Sequence, residues 1–517
     1  MAKKTEGRVT IARRNVIAGL ISRGVMILIP FLTRTLLIRL MGAERLGVNS
    51  LFTSVLSVIS LAELGIDSAI TYSMYKPIAE GDTDTVCGLL NVYRKLYRYV
   101  GLFILAVGTI GIPFLRYLIS GEVPEDLSLP LVYLIFLGNT VAGYLLYAHK
   151  RSLLIALQRN DYVSNVSTII VIFQNVAQVA VYALTKNYYL YAFVLIVCTV
   201  ATNLLFQYLS NKYYGEYQPK GTVTAEVKGN LKKQIGGLMI TKLCVQSRNA
   251  FDNIVVSAVL GLALVTIYSN YFYVINAVHS VLGAILISIT SSIGNSIAVE
   301  SKEKNLQDLK KIQFLYIWMS IWAMTCTALL YSDFMTIWVG EELVLPFVSA
   351  MIFSVYGFVL CLGDVNGAYA DANGVWWHNR KFSVMETVIN IVLNIVLCHF
   401  LGVNGIIIAS IIATAFSNFG YMPYTVFKHY FGLQYLKKQL LSLLMYLIAF
   451  GISVTLSILV SNTITATGIL KMIIQIAVAS VIAPALMVIS SLRNSTAKEA
   501  FQLVLAIVKR TKPKTEE

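Results

Sequence analysis

Apolar runs of about 20 residues recur fourteen times along this chain, and a run of that length is what a helix needs to cross the hydrocarbon core of a bilayer. They lie approximately at 15–40, 46–72, 96–118, 128–147, 163–184, 188–210, 235–259, 264–297, 312–331, 344–368, 382–400, 404–427, 439–461 and 470–491. Of the 517 residues, 57% are hydrophobic and only 13% charged, with a mean hydropathy of +0.71, which is more apolar surface than a soluble core hides. The expected fold class is an all-α polytopic membrane protein with fourteen transmembrane helices. The net charge of +15 does not imply a nucleic-acid partner, because the basic residues cluster in loops between the apolar runs. The six cysteines (Cys87, Cys198, Cys244, Cys326, Cys361 and Cys398) are widely spaced with no C-x-x-C. They read as small packing residues, not as a disulfide set or a metal site, and no cofactor is expected.

Orientation follows from the positive-inside rule. The basic start through Arg14 runs straight into the first apolar helix without a small-residue cleavage pattern, so it reads as a cytoplasmic tail. With the N-terminus inside, the tails and the loops after even-numbered spans hold 32 of the 41 Lys and Arg. The outer loops hold Arg45, Arg116, Lys186 and Lys471, and five more (Arg23, Arg34, Arg39, Lys242 and Arg248) lie within spans. A multi-pass protein of the cell membrane with both termini cytoplasmic is expected.

A shift of 219 residues lays the first span on the seventh. Arg13 and Arg14 fall on Lys232 and Lys233, Arg23 on Lys242, Gly42 on Gly261, and Ser50 on Ser269. Six spans separate the copies, and an even number preserves orientation. The copies would therefore form two six-helix lobes related by a pseudo-two-fold axis along the membrane normal. The expected organisation is an N-lobe over 1–210, a cytoplasmic linker over 211–234, a C-lobe over 235–430, two additional helices within 431–491, and a cytoplasmic tail over 492–517. Within the tail, residues 494–509 suit an amphipathic helix on the inner membrane surface. Two symmetric lobes imply a central cleft, where transporters commonly bind substrate.

Ionisable residues inside spans are costly, about 2.5–3.5 kcal/mol each on insertion scales, so they should face water or one another. Arg23 and Arg34 fall about 20° apart around the first helix and about 16 Å apart along it, beside Asn15, Gly19, Ser22, Pro30 and Thr33. On span 7, Lys242, Gln246, Asn249 and Asn253 share a stripe, with Arg248 and Asp252 on its shoulder at the spacing of an ion pair. Arg248 and Asp252 are open to a purely structural reading as such a pair. Buried acids are too few to neutralise Arg23, Arg34 and Lys242, and an anionic substrate is the economical partner. Guanidinium groups match phosphate oxygens in bidentate fashion, so the cleft suits a lipid-linked phosphate or pyrophosphate. Polar candidates for sugar contacts are Asn139, Gln174, Gln178, Asn249, Asn253, Asn270, Asn276, His279, Asn390 and Asn394; interhelical hydrogen bonding is the competing role for each. Glu63, Asp67, Asp252, Asp364 and Glu386 are candidates for gating or ion coupling, or for capping and anchoring helices.

These features resemble the polysaccharide (O-antigen-like) flippases of the multidrug/oligosaccharidyl-lipid/polysaccharide exporter superfamily. The resemblance rests on "RLMGAERLGVNSLF" (39–52), "ELGIDSAI" (63–70), "ALQRNDYV" (156–163), "FDNIVVSAVLGLALVTIYSNYF" (251–272), "SIGNSIAVES" (292–301), "ANGVWWHNRKF" (372–382) and "ETVINIVLNIVL" (386–397), in that order, and spans most of 10–430. It implies transfer of undecaprenyl-pyrophosphate-linked oligosaccharides from the inner to the outer leaflet by alternating access, coupled to H+ or Na+. It also implies a cationic cleft built on Arg23, Arg34, Lys242 and Arg248. A polysaccharide polymerase and glycosyltransferases would be partners. The family often has Thr before the Asp-Asn of span 7, whereas this chain has Phe251, a departure that bears on a cation role for Asp252.

Three other readings compete. A drug or cation antiporter of the same superfamily should bury acids, whereas this chain buries bases. A peptidoglycan-precursor flippase shares the phosphate logic. A membrane polymerase or ligase needs a large outer platform, yet the outer loops are short, and no Walker A, H-E-x-x-H or dinucleotide motif occurs in the sequence. A transporter, not an enzyme, is therefore expected.

Overall fold

The first helix, α1 (Arg8–Ile59), is 52 residues long, and its only break in helical backbone is at Gly42, with φ 82° and ψ 165°. That region is open to glycine and nearly closed to residues with a Cβ. The break divides α1 into the first predicted span and the start of the second. Pro30 lies inside the first half, where it removes one helical hydrogen bond. The computed structural model to which these observations belong describes residues 8–60, 66–120, 123–225, 227–229, 231, 235, 250–373, 375–463, 465–491 and 497–500.

The next elements are α2 (Ile66–Glu80), α3 (Thr83–Gly111), α4 (Leu129–Leu145), α5 (Ala148–Ala156), α6 (Asn160–Thr185) and α7 (Tyr188–Tyr214). They are followed by α8 (Ala250–Leu260), α9 (Leu262–Val299), α10 (Lys302–Val339), α11 (Phe347–Ala372), α12 (Trp376–Leu401) and α13 (Val403–Ala415). The chain continues through π-helical turns at Phe416–Tyr421 and Phe427–Phe431, on either side of α14 (Met422–Val426). It then forms α15 (Leu436–Ser461) and α16 (Gly468–Ser491). No strand occurs among the described residues.

Ten of the described helices are long and apolar enough to cross a membrane, or eleven if α4 and α5, bent by 49°, form one span. α1 is one of the ten although it covers parts of two predicted spans, and α9 lies on predicted span 8. Of span 7 only residue 235 and α8 are described. Of the predicted tail helix only residues 497–500 are described.

The described chain divides into two compact units, Met1–Thr266 and Ile267–Glu517. In the first unit α1 packs on α6, and α7 packs on α4 and α6. Thr33 of α1 donates to Asn175 Oδ1 of α6 at 2.6 Å, a polar pin between two apolar helices. The carboxylate of Asp82 caps α3 by accepting from the Thr85 amide at 2.9 Å. Hydrogen bonds from Thr85 hold that carboxyl below its ordinary pKa. α8 and the turn after it are bonded into this unit. Asn253 donates to Ser54 Oγ at 3.0 Å, and Ser120 N donates to Ser257 O at 2.9 Å. Gly261 closes α8 with φ 93°, and a Cβ there would stand 3.0 Å from Ser120 O. The shift that pairs Gly42 with Gly261 thus pairs two glycines, both with positive φ.

In the second unit α10 is the central element, packed on α11, α15 and α16. Polar pins hold the last two helices on it. Gln439 of α15 donates to Gln313 Oε1 at 3.0 Å and Asn366 Oδ1 at 3.3 Å, and Trp322 Nε1 donates to Ser480 Oγ at 2.9 Å. The π-helical turn brings Asn418 against α11, where its amide donates to Val359 O at 2.6 Å.

Candidate functional site

Arg23 and Arg34 stand on α1 on opposite sides of Pro30. Arg23 is exposed, and Arg34 is half-buried within electrostatic reach of Tyr191 on α7. Lys242, Arg248, Asn249 and Glu63 lie outside the described residues. On α8, Asp252 is 1% exposed and Asn253 bonds Ser54, so both belong to the packing of the first unit. Gln174 and Gln178 lie one turn apart on α6, the first half-buried and the second buried.

Asn270 and Asn390 are fully buried in the second unit. Asn390 donates to Ser410 Oγ at 3.1 Å and accepts from Asn394 at 3.2 Å, pinning α12 to α13. For Asn390 the observed role is the interhelical hydrogen bond that competes with sugar contact.

The first unit contains a polar cavity that holds two of the predicted residues, Asp67 and Asn139. Asp67 lies in the first turn of α2, where the helix dipole favours an anion. Its carboxylate accepts from Tyr93 at 3.0 Å and from Ser152, and it faces Arg151 Nη1 at 3.6 Å. Asp67, Tyr93 and Arg151 line part of a cavity of about 370 Å³. Tyr97, Asn139, Thr140, Tyr144, Thr199, Thr202, Asn203 and Phe206 line the rest. Thr199 donates to Asn139 Oδ1 at 2.6 Å, orienting that amide. The cavity thus joins hydroxyls, amides, three tyrosine rings and an Arg–Asp pair, the inventory that hydrogen-bonds and stacks on a sugar. Arg151 and Ser152 escape the sequence reading because they look like ordinary loop residues. The bend between α4 and α5 is what brings α5 against α2 and α7.

A second cluster lies in the segment "ALQRNDYV" (156–163). Asp161, 2% exposed, pairs with Arg14 Nε at 2.8 Å and Arg159 Nε at 2.9 Å. Arg159 also donates to Tyr214 Oη at 3.1 Å, and its guanidinium sits 3.8 Å from the centre of the Tyr162 ring. The network fastens the starts of α1 and α6 to the end of α7.

Two features mark the second unit. His279 Nε2 of α9 lies 3.0 Å from Asp364 Oδ2 of α11, and Tyr316 of α10 donates to the same oxygen. Close by, a cavity of about 460 Å³ is walled by Ile285, Leu286, Ile289, Ile293, Ile312, Leu315 and Met319. Lys304, Asp308 and Lys311 also line it. Lys304 pairs with Asp308 at 3.2 Å and Lys311 with Glu499 at 2.9 Å. Glu386, another predicted acid, accepts from Tyr421 at 2.7 Å.

No protein-family model and no curated protein sequence matches the chain. Solved structures do. The lipid II flippase MurJ, in an inward closed conformation, superposes with a TM-score of 0.65 at 14% identity, over 92% of this chain and 98% of that one. The chain has the fold of the MOP-superfamily transporters. An inward-facing multidrug resistance MATE family transporter of that superfamily gives 0.61 at 15% identity, over 81% of this chain and 99% of that one. A point mutant of the Vibrio cholerae MATE transporter VcmN gives 0.57 at 14%, over 81% and 97%. These identities speak to the fold, a multi-pass helical membrane architecture.

Proposed function

We propose that this MOP-fold chain is a flippase that moves polyprenyl-pyrophosphate-linked oligosaccharides from the inner to the outer leaflet by alternating access, for cell-surface polysaccharide synthesis. The observation that carries the reading is the cationic, polar character of α1 within this fold. Arg23 and Arg34 sit on a membrane-length apolar helix, and the cost of placing them there is recovered by binding an anion. In this reading Lys242 and Arg248 supply the matching charge from the other repeat, and the two lobes are related by a pseudo-two-fold axis. Positive-inside counting supports cytoplasmic termini.

The Asp67 cavity of the first unit, with its hydroxyls, amides and tyrosine rings, supports a sugar-bearing cargo. Asp67, Asp252 and Glu63 are the proposed gating or H+/Na+ coupling groups. A polysaccharide polymerase and glycosyltransferases are the proposed partners.

A deletion strain tests this. Lipid-linked repeat units should accumulate in the inner leaflet, and the wild-type gene should clear them. An Arg23→Ala, Lys242→Ala double variant should fail to clear them; equal rescue by that variant would remove the residue assignment. The likeness to MurJ favours one second reading, a peptidoglycan-precursor flippase, which predicts accumulation of that precursor instead.

A further inference from the structure

We propose that His279, Cys361 and Asp364 form a binding site for a thiophilic divalent cation of the Zn2+ class inside the second unit. Cys361 and Asp364 are three residues apart on α11 and therefore project from one face of it. His279 comes from α9. The imidazole nitrogen, the thiol sulfur and a carboxylate oxygen all lie within 4.8 Å of one another. Ligands at about 2.0–2.3 Å from one tetrahedral ion are about 3.3–3.7 Å apart, so small side-chain rotations close the set. N, S and O donors in this combination select zinc-like ions over Mg2+ or Ca2+, which take oxygen ligands.

Charge supports the assignment. A neutral imidazole, a thiolate and a carboxylate together cancel a divalent cation, leaving no net charge among apolar helices. Tyr316 donates to Asp364 Oδ2, the outer-shell hydrogen bond that orients a ligating carboxylate. The His279 and Asp364 side chains are 28% and 23% exposed while Cys361 is buried. An ion thus reaches the thiol past the imidazole and the carboxylate, and once bound it clamps α9 to α11. The site does not depend on the transport reading.

The test uses the purified full chain in detergent or nanodiscs, titrated with Co2+ and then Zn2+. One equivalent of Co2+ should bind with a near-ultraviolet thiolate-to-metal absorption band, and Zn2+ should displace it. X-ray absorption of the zinc form should show one sulfur at about 2.3 Å together with an imidazole. Cys361→Ser should abolish the band, and Cys361→Ala gives the same comparison should the serine variant fail to fold. Tyr316→Phe should keep the band and weaken affinity about 10- to 100-fold, the usual effect of losing an outer-shell partner. Absence of the band in the wild type, a band undiminished in the Cys361 variants, or a zinc shell without sulfur would each overturn the proposal.

Discussion

Asp161 is almost fully buried, pairs with Arg14 and accepts from Arg159, so removing it takes an anionic partner from two guanidinium groups. Breaking a buried pair from one side costs about 3–5 kcal/mol, and the 39% exposure of Arg14 puts Asp161→Ala near the lower end. The expected result is a clear fall in melting temperature in detergent, with Asp161→Glu intermediate. Asp67 calls for a split. Asp67→Ala removes the shared acceptor of the Tyr93 and Ser152 hydroxyls, which keep only their mutual bond at 3.2 Å, and should destabilise by about 1–3 kcal/mol. Asp67→Asn keeps an acceptor and should retain most of that stability. If Asp67 couples an ion, the Asn variant still loses transport, and a well-folded, fully active Asp67→Asn chain would exclude that role.

The sequence makes Asp67 conspicuous, because a carboxylate in or beside an apolar run needs a reason, whereas Asp161 enters the reading only within the segment 156–163. The partners of both acids are not legible. Ser152 reaches Asp67 across 85 residues of chain, and only the bend between α4 and α5 makes the contact. Cys361 shows the same gap. Spacing alone made it a packing residue, and its neighbour His279 comes from a different helix.

At the scale of elements, length and apolarity locate the helices well. Described helix coincides with every predicted span, including part of span 7. The turns at Gly42 and Gly261 were legible as a repeated position, while their backbone geometry was not. Gly42→Val should cost about 1–3 kcal/mol, since the substituted residue must hold a conformation nearly closed to it. Nothing lies within 4 Å of a Cβ at Gly42, so the cost is conformational, not a clash. Gly19→Ala, in ordinary helix with open space around it, should instead be neutral or stabilising by up to about 1 kcal/mol. Equal melting temperatures for the two variants would contradict this account of the break.

The π-helical turns after α13 have no counterpart in the sequence reading, which continues a regular helix through 404–427. The first of them carries Asn418, whose amide reaches the Val359 carbonyl on α11, a tertiary contact. The seat of α15 is likewise tertiary. Gln439→Leu should destabilise by about 1–3 kcal/mol, because it leaves the amides of Gln313 and Asn366 buried beside an apolar side chain. Earlier loss of α15 protection in hydrogen exchange would report it.

For the whole molecule, hydropathy alone establishes the membrane class, since no soluble core accommodates this composition. Charge placement supports an orientation, and the unusual cations on α1 point to an anionic cargo. What sequence cannot supply is where the compact units divide. Their boundary falls inside α9, beyond the predicted linker, because α8 is hydrogen-bonded into the first unit. The central claim concerns cargo and is tested most directly in proteoliposomes. The purified chain is reconstituted with a polyprenyl-pyrophosphate oligosaccharide in both leaflets and treated from outside with a glycosidase that cannot cross the bilayer. Flipping predicts that digestion runs past the outer-leaflet half toward completion, and that the Arg23→Ala, Lys242→Ala variant slows it at least several-fold. Digestion that stops at the outer-leaflet half, as in protein-free vesicles, would contradict the account.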